Sequence, residues 1–443
     1  MGKPVNTLSM TRRRCLAAGA AGSTLLAACG QQPAAAPPAK ASAPVTISYM
    51  SNLVNTHPAG NARLLLLDEF NKTNTQKITV DVRDGQVAVT NDKVKALAAA
   101  GTAPGMFYVA YYNAAEFFTA GMTIDLEPEL KGEKDWAKQR ADMFPNMLES
   151  NMWAGKLVGM PGYTNNIAMI YNPALLSQAG VAAPKQGWTW DDFITMSSRF
   201  VRPGTVALSM GWGMWTHWLG TTGARVITAD ARKITLDSAE MQSVLELFQD
   251  LMKRGITQTK PDGRSGLDET WALAKNDTVF ETQGSYRLPT FRQNNAPVPG
   301  ALHIPVHPVK KQVFAANAGH SMMVFKGQPV DQQHAGALVT KWMNSTRAQV
   351  KFCIQNFLPV SKSVADDKEL LEYVKTDPAF KPFIDLMPNG WRWPTLPSYD
   401  KISKSIQDNV DAVMRQEIGV KAGIGKAQQE AQVLLDQDVR LMQ

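Results

Sequence analysis

The strongest constraint on this chain is an alternation of strand-like and helix-like segments joined by short Gly- and Pro-rich connections. "VTISYM" (45–50) alternates with the period of two that a strand requires. "NARLLLLDEFNKTN" follows at helical spacing, which puts Leu64, Leu67 and Phe70 on one face. "KITVDVRDG" (77–85) reads as a second strand closed by Asp84-Gly85, and "NDKVKALAAAGTAPGMFYVAY" as a helix, a break and an apolar strand. Such alternation predicts an α/β fold with a largely parallel sheet. The pattern returns after residue 160. "NIAMIYNPALL" predicts a strand turning at Asn172-Pro173, and "GWTWDDFITMSSRF" a helix with Thr189 and Asp192 as a capping box. "LDSAEMQSVLELFQDLM" predicts a helix capped by Asp237, with Val244, Leu247, Phe248 and Leu251 as its buried stripe. "GALHIPVHPV" and "GHSMMVFKG" read as strands, and residues 328–345, 346–356 and most of 399–441 as helices. At 443 residues the chain exceeds one ordinary core, so two or three domains are expected.

The first 44 residues follow a different logic. "TRRRCLAAGAAGSTLLAACG" has a cationic start and a weakly apolar stretch from Leu16 to Ala28, too short and too rich in Ala and Gly to span a bilayer. Residues 1–28 read as an export signal of twin-arginine type. Leu26-Ala27-Ala28-Cys29-Gly30 reads as a lipobox that leaves Cys29 first and lipid-bearing. "QQPAAAPPAKASAP" has no large apolar residue to bury, so residues 29–44 form a tether. Removing the signal takes four of the 46 basic residues and none of the 39 acids, so the formal charge drops from +7 to +3. That balance, without any basic run interleaved with aromatics, gives no argument for nucleic acid. Cys353 is then the remaining thiol, in the apolar stretch "VKFCIQNF", where a buried inert side chain is expected.

A long ordered block, "WAGKLVGMPGYTNNIAMIYNPALLSQAGVAAPKQGWTWDDF" (153–193), resembles the extracellular solute-binding proteins of ABC importers, family 1. Further blocks match in order: residues 107–128, "KITLDSAE…L" (233–247), "VFETQGSYRL" (279–288) and "WMNSTRAQVKFCIQNFLPVSKSV" (342–364). The resemblance covers residue 45 to the C-terminus. It implies the two-lobed periplasmic-binding-protein fold of type II, each lobe a mixed sheet flanked by helices. Hinge crossings would fall near Gly159–Gly162, Pro305–Pro308 and Pro359–Ser361. Lobe one would hold 45–160 plus 309–358, and lobe two 161–308 plus 359–443.

The resemblance also implies a function, capture of a sugar or related polar solute between the lobes and delivery to an ABC permease. A sugar presents hydroxyls that need directional partners and flat C–H faces that lie on aromatic rings, so its seat is a cleft with aromatic walls. "GWGMWTHWLG" (211–220) supplies Trp215 and Trp218 as candidate cleft residues, with Trp212 as ready to pack in the core. Ser285 and Tyr286 come from "GSY", Tyr163 and Asn165 from "GYTNN" at the first crossing, and Tyr112 and Asn113 from the loop after a strand. His57 sits in "NTHPAGN" on the first strand-to-helix loop, and Trp391 and Trp393 in "NGWRWPTLP". Asn165 stands where the family's maltose binders often carry a carboxylate, which weighs against a maltose-type ligand. A glycerol-phosphate ester or polyol shares the frame as an alternative ligand.

Catalytic signatures are missing from the sequence. Pro305 between His303 and His307 denies the helix that would turn both to one metal, and no HExxH, paired CxxC, P-loop or GxSxG occurs. The expectation is a monomeric receptor, exported and held at the membrane through lipid, that makes and breaks no bond and uses no cofactor or metal. Its rival is a lipid-anchored carbohydrate-active hydrolase, whose two carboxylates need not be adjacent in sequence.

Overall fold

Two strands much longer than their neighbours organise the molecule. The computed structural model describes residues 43–51, 53, 57–83, 90–203, 206–209, 213–257 and 278–442. The export signal, Cys29, the Asp84-Gly85 turn and Trp212 lie outside the described residues. Along the chain the strands are β1 (Val45–Met50), β2 (Ile78–Val82), β3 (Met106–Ala110), β4 (Met152–Trp153), β5 (Lys156–Leu157) and β6 (Met160–Tyr171). They continue with β7 (Leu208–Ser209), β8 (Phe280–Gly284), β9 (Gly300–Leu302), β10 (Ala315–Val324) and β11 (Gly390–Trp391).

The main sheet runs β2-β1-β3-β10-β6-β8-β7, with β9 on β6 and β11 on β10. Pairing is parallel at the flanks, β2 with β1, β1 with β3 and β7 with β8. At the centre β3, β10, β6 and β8 are antiparallel in succession. The sheet is therefore mixed, and the expectation of a largely parallel one is corrected. Long β6 and β10 run back against each other, a pairing that does not require the crossover connection of parallel strands.

Both long strands change partners partway. Residues 160–166 of β6 pair with β10, while residues 167–171 pair with β8 and β9. The second half of β10 lies on β3 and its start on β11. A bulge interrupts the register between His320 and Ser321. Gly319, just before it, has φ +153°, and a Cβ there would stand 2.4 Å from the Tyr163 carbonyl oxygen. At Gly162 a Cβ would meet the Tyr108 ring at 2.1 Å. These glycines let the two strands approach where the partners change.

The strands divide their side chains between separate cores by their period of two. Met106 and Tyr108 of β3 join Ile47, Val80, Leu66, Phe70 and Phe352. Phe107 and Val109 face the other way, into a larger core containing Phe193, Trp218, Phe248, Ile402 and Leu435. On β6, Ala168 and Ile170 meet Phe291, Phe380 and Phe383, while Met169 joins the larger core. Each fully buried Leu or Phe contributes roughly 1.5–3 kcal/mol, so these faces fix the register.

Local signals hold with small displacements. Thr189 and Asp192 form the capping box of Trp190–Ser197. Helix Ala239–Lys253 is capped by Ser238, one residue past the expected Asp237, and buries Met241, Val244, Leu245, Phe248 and Leu251, leaving Leu247 half-buried. Helix Pro58–Thr73 buries Arg63, Leu66, Leu67 and Phe70 rather than Leu64.

Candidate functional site

A cavity of about 230 Å³ opens beside the partner change of β6 and β10. Ile167 of β6 and Ala316, Asn317 and Ala318 of β10 line it. Tyr111 and Tyr112 enter from the 3-10 turn Tyr111–Asn113 that follows β3. Helix Trp215–Thr221 offers Trp215, Thr216 and His217, and helix Tyr399–Met414 offers Tyr399, Ser403, Ile406 and Gln407. Tyr286 and Trp393 complete the aromatic lining. Tyr111, Tyr112, Trp215, Tyr286, Trp393 and Tyr399 thus meet although they are spread over most of the chain.

Most of these rings are held by partners from distant parts of the chain. Gly213, at φ +74°, turns the chain into the helix that starts at Trp215. The Trp215 indole N–H donates to Gln407 Oε1 at 2.9 Å, and Gln407 Nε2 donates to Asp411 Oδ1 at 2.6 Å. Asp438 accepts from the Ser398 backbone N–H and hydroxyl at 2.9 and 2.7 Å, which anchors the start of the helix bearing Tyr399. Tyr112 and Tyr399 stack at 4.0 Å and 25°. The Trp393 backbone N–H donates to the Tyr111 hydroxyl at 2.9 Å, and the Arg392 guanidinium lies 3.8 Å over the Tyr111 ring.

The described lining of this cavity contains no Asp, Glu, Lys or Arg. His217, 5% exposed, is kept neutral because burial pulls its pKa down to about 4. Its Nδ1 lies 3.1 Å from the Met214 carbonyl oxygen, which can only accept. Nδ1 therefore carries the hydrogen and Nε2 is a bare acceptor. That Nε2 is buried without a partner, as is the side-chain oxygen of Asn317. A buried acceptor left unpaired costs about 1–3 kcal/mol, which a donor entering the cavity would offset.

The expected site residues separate into two groups. Tyr112, Trp215, Tyr286 and Trp393 line this cavity. Trp391 lines a second one, of about 270 Å³, which shares Trp393 with the first. The others line neither of these cavities. Trp218 is fully buried among Trp190, Phe193 and Phe248, a consequence of the apolar faces that converge on its side of the helix. Tyr163 is packed in the core, with Phe357 at 4.6 Å and His320 at 4.9 Å. Asn113, Asn165 and Ser285 are buried behind the lining, each with one polar atom that lacks a partner. His57 caps helix Pro58–Thr73 by accepting from the Ala59 N–H, and its ring also bonds the Tyr286 backbone.

Tyr111, His217, Asn317, Tyr399 and Gln407 also line the cavity, and none of them stands out in the sequence as a candidate. Tyr111 and His217 neighbour chosen residues, so a wider window would have caught them. Tyr399 heads a helix after "WPTLPS", where an aromatic ring after prolines is a usable signal. Gln407 and Asn317 carry none, since their place depends on which strands and helices meet. Among the described residues no group of His, Cys, Asp and Glu is arranged to hold a metal.

Comparison with known proteins agrees with this architecture. The crystal structure of the cyclic alpha-maltosyl-1,6-maltose binding protein from Arthrobacter globiformis matches with a TM-score of 0.75 at 18% identity, over 89% of this chain and 100% of that one. Maltose-bound T. maritima MalE3 matches with a TM-score of 0.72 at 20% identity, over 88% and 100%. UgpB from Mycobacterium tuberculosis, in complex with glycerophosphocholine, matches with a TM-score of 0.73 at 17% identity, over 90% and 100%. The fold is the two-lobed one of these proteins. In sequence, a Deinococcus radiodurans protein described as "Probable ABC transporter-binding protein" is 22% identical over 294 residues, 61% of this chain and 67% of that protein. The family model for bacterial extracellular solute-binding protein matches residues 66–382, most of the folded chain. The chain belongs to the bacterial extracellular solute-binding proteins.

Proposed function

We propose that this protein captures a neutral, hydroxyl-rich solute, a carbohydrate, in the cleft beside β6 and β10 and passes it to an ABC permease. The observation that carries the reading is the lining itself, six aromatic rings with no charged side chain among the described residues and a buried acceptor on His217. Ring faces suit the C–H faces of a sugar, and His217 Nε2 suits a hydroxyl hydrogen. The names of the similar structures, binders of maltose and of a cyclic oligosaccharide, support the same class.

The alternatives fit this lining less well. A phosphate ester would bring a charge into a cavity whose described lining holds no Lys or Arg, and burying it unpaired costs several kcal/mol. A hydrolase needs two carboxylates flanking the bond, and the described lining holds neither Asp nor Glu. We therefore read the protein as a receptor that leaves its guest intact.

The lobe division of 45–160 with 309–358 and 161–308 with 359–443 enters this proposal with its second boundary moved into β10. It is supported by the packing of the helices Val330–Met343 and Thr346–Cys353 near β1 and helix Pro58–Thr73, and of the two C-terminal helices against Ala239–Lys253. The second crossing is better placed in β10 than at Pro305–Pro308, because Val306 still bridges Thr189 and Phe314 still packs on Trp391. A lipid on Cys29 would tether the monomer outside the membrane near its permease, and Cys29→Ser would release it into the soluble fraction.

A thermal-shift screen against sugars, polyols and their phosphates tests the ligand class. Saturation at a hundredfold over Kd stabilises by about 2.7 kcal/mol, a readily measured rise in Tm. A response to phosphates alone, or consumption of a responding sugar, would overturn the reading.

A further inference from the structure

A buried carboxylate stands behind the aromatic lining. Asp411 is 8% exposed, borders neither cavity and accepts from Gln407 Nε2 at 2.6 Å. Gln407, one turn earlier on helix Tyr399–Met414, lines the cleft and accepts from the Trp215 indole N–H at 2.9 Å through its Oε1. The three side chains form a relay whose polarity is fixed at both ends. An indole N–H can only donate and an ionised carboxylate can only accept. The Arg415 guanidinium nearby favours the ionised form of Asp411. One orientation of the Gln407 amide therefore makes both bonds. Turned over, it would set its NH2 against the indole N–H and its oxygen against the carboxylate, exchanging two hydrogen bonds for two repulsions. The bond to Asp411 is charge-assisted and polarises the amide, which makes Oε1 a better acceptor for the indole. One hydrogen on Nε2 remains, since no described residue accepts it.

We propose that Asp411 is a positioning residue for solute capture: acting through Gln407, it holds the Trp215 ring at the cleft and commits the remaining amide hydrogen to an oxygen of the solute. A glutamine by itself can present either end to a guest, and Asp411 removes that choice. The cleft then offers a fixed donor on Gln407 as well as the fixed acceptor on His217. Both are set before a solute arrives, so little freedom is lost on binding. Placing the carboxylate one side chain back also keeps charge out of the lining while using it to orient a neutral group. The guest's part in this rests on the carbohydrate reading, whereas the orientation of Gln407 and Trp215 does not.

Nuclear magnetic resonance on the full chain with isotope-labelled tryptophan and glutamine reads the relay without any solute. In the wild type the Gln407 side-chain amide, assigned as the signals lost in Gln407→Met, should show one proton moved downfield and protected from exchange. The Trp215 indole signal, assigned as the one lost in Trp215→Phe, should move upfield in Gln407→Met, which removes its acceptor. In Asp411→Asn, whose amide lets Gln407 turn over, it should move part of that way or split. Asp408→Asn removes an equal charge from the exposed side of the same helix, where Asp408 pairs with Lys404, and should leave the signal in place. An indole signal indifferent to Asp411→Asn overturns the proposal. So does a freely exchanging Gln407 amide in the wild type, a readout that holds even if Asp411→Asn fails to fold. Titration calorimetry with glucose, galactose, mannose, maltose and trehalose then tests the consequence for capture. A sugar that binds the wild type should bind Asp411→Asn about fivefold to tenfold more weakly, and Asp408→Asn equally well. Equal affinity for Asp411→Asn would overturn the donation to the solute. Binding of none of these sugars would overturn the carbohydrate reading, and the two resonances would still decide whether Asp411 positions Trp215.

Discussion

His217 separates what a side chain does for the fold from what it does for a ligand. Burial holds it neutral with a pKa of about 4, against about 6.5 in an unfolded chain. Between those values the unfolded state binds the proton and the folded state does not. Stability is therefore complete above about pH 6.5 and is lost as pH falls through about 4, by on the order of 3 kcal/mol. His320, lowered to about 3 by burial and by Arg63 and Arg392, acts in the same direction. A urea titration series from pH 7 to pH 4 should show a falling midpoint, with a shallower fall in His217→Phe. Protonation also turns Nε2 from acceptor to donor, so solute affinity of the folded protein should hold to about pH 5 and decline as pH falls through about 4. A flat profile would mean that Nε2 finds another partner. The neighbouring tryptophans should differ in what they do for a ligand. Trp215→Ala is expected to weaken binding tenfold or more and to lower Tm as well, since its ring borders the cavity while packing in the larger core and donating to Gln407. Trp218→Ala should cost about 3–5 kcal/mol of stability, since its ring is sealed in the core.

At the scale of elements, sequence patterns were legible where one local rule decides. The Thr189 capping box, the stripe of Val244, Phe248 and Leu251, and the helical tail depend on neighbours within a few residues. The antiparallel centre of the sheet was not legible, because β10 pairs with β3 and β6 from more than a hundred residues away. Trp215 and Trp218 show the same limit within one helix. Both are apolar rings three residues apart, and only the arrival of Trp190, Phe193 and Phe248 on one side and Gln407 on the other tells them apart. The joint between β6 and β10 yields its own prediction. A Cβ at Gly319 meets a backbone oxygen, which cannot rotate away as a side chain can. Gly319→Ala should destabilise by about 1–3 kcal/mol, read as a lower denaturant midpoint. It should also shift solute affinity although the residue lies outside the lining, because both walls hang on these strands.

For the whole molecule, the question is what holds the walls of the cleft at their present distance. Tyr112 extends from the end of β3, and Tyr399 from a helix that packs on Val420–Leu441 and Ala239–Lys253. Their stack at 4.0 Å joins the two sides without help from a ligand. Such a pair contributes about 0.5–1.5 kcal/mol beyond its buried area, enough to shift an open–closed balance severalfold and too little to lock it. A solute touching both walls adds its own differential affinity and pulls the balance further toward closure. Tyr399→Ala removes the stack, so the ligand-free protein should expand, measured as a larger radius of gyration by small-angle scattering. Addition of a saturating solute found in the thermal screen should return the radius toward that of the liganded wild type, at a weaker apparent affinity. If the ligand-free radius is unchanged, the stack does not set the distance between the walls, and closure must be governed by β6 and β10 themselves. The Gly319→Ala variant measured in the same way distinguishes these cases, since it perturbs the joint and leaves both tyrosines in place.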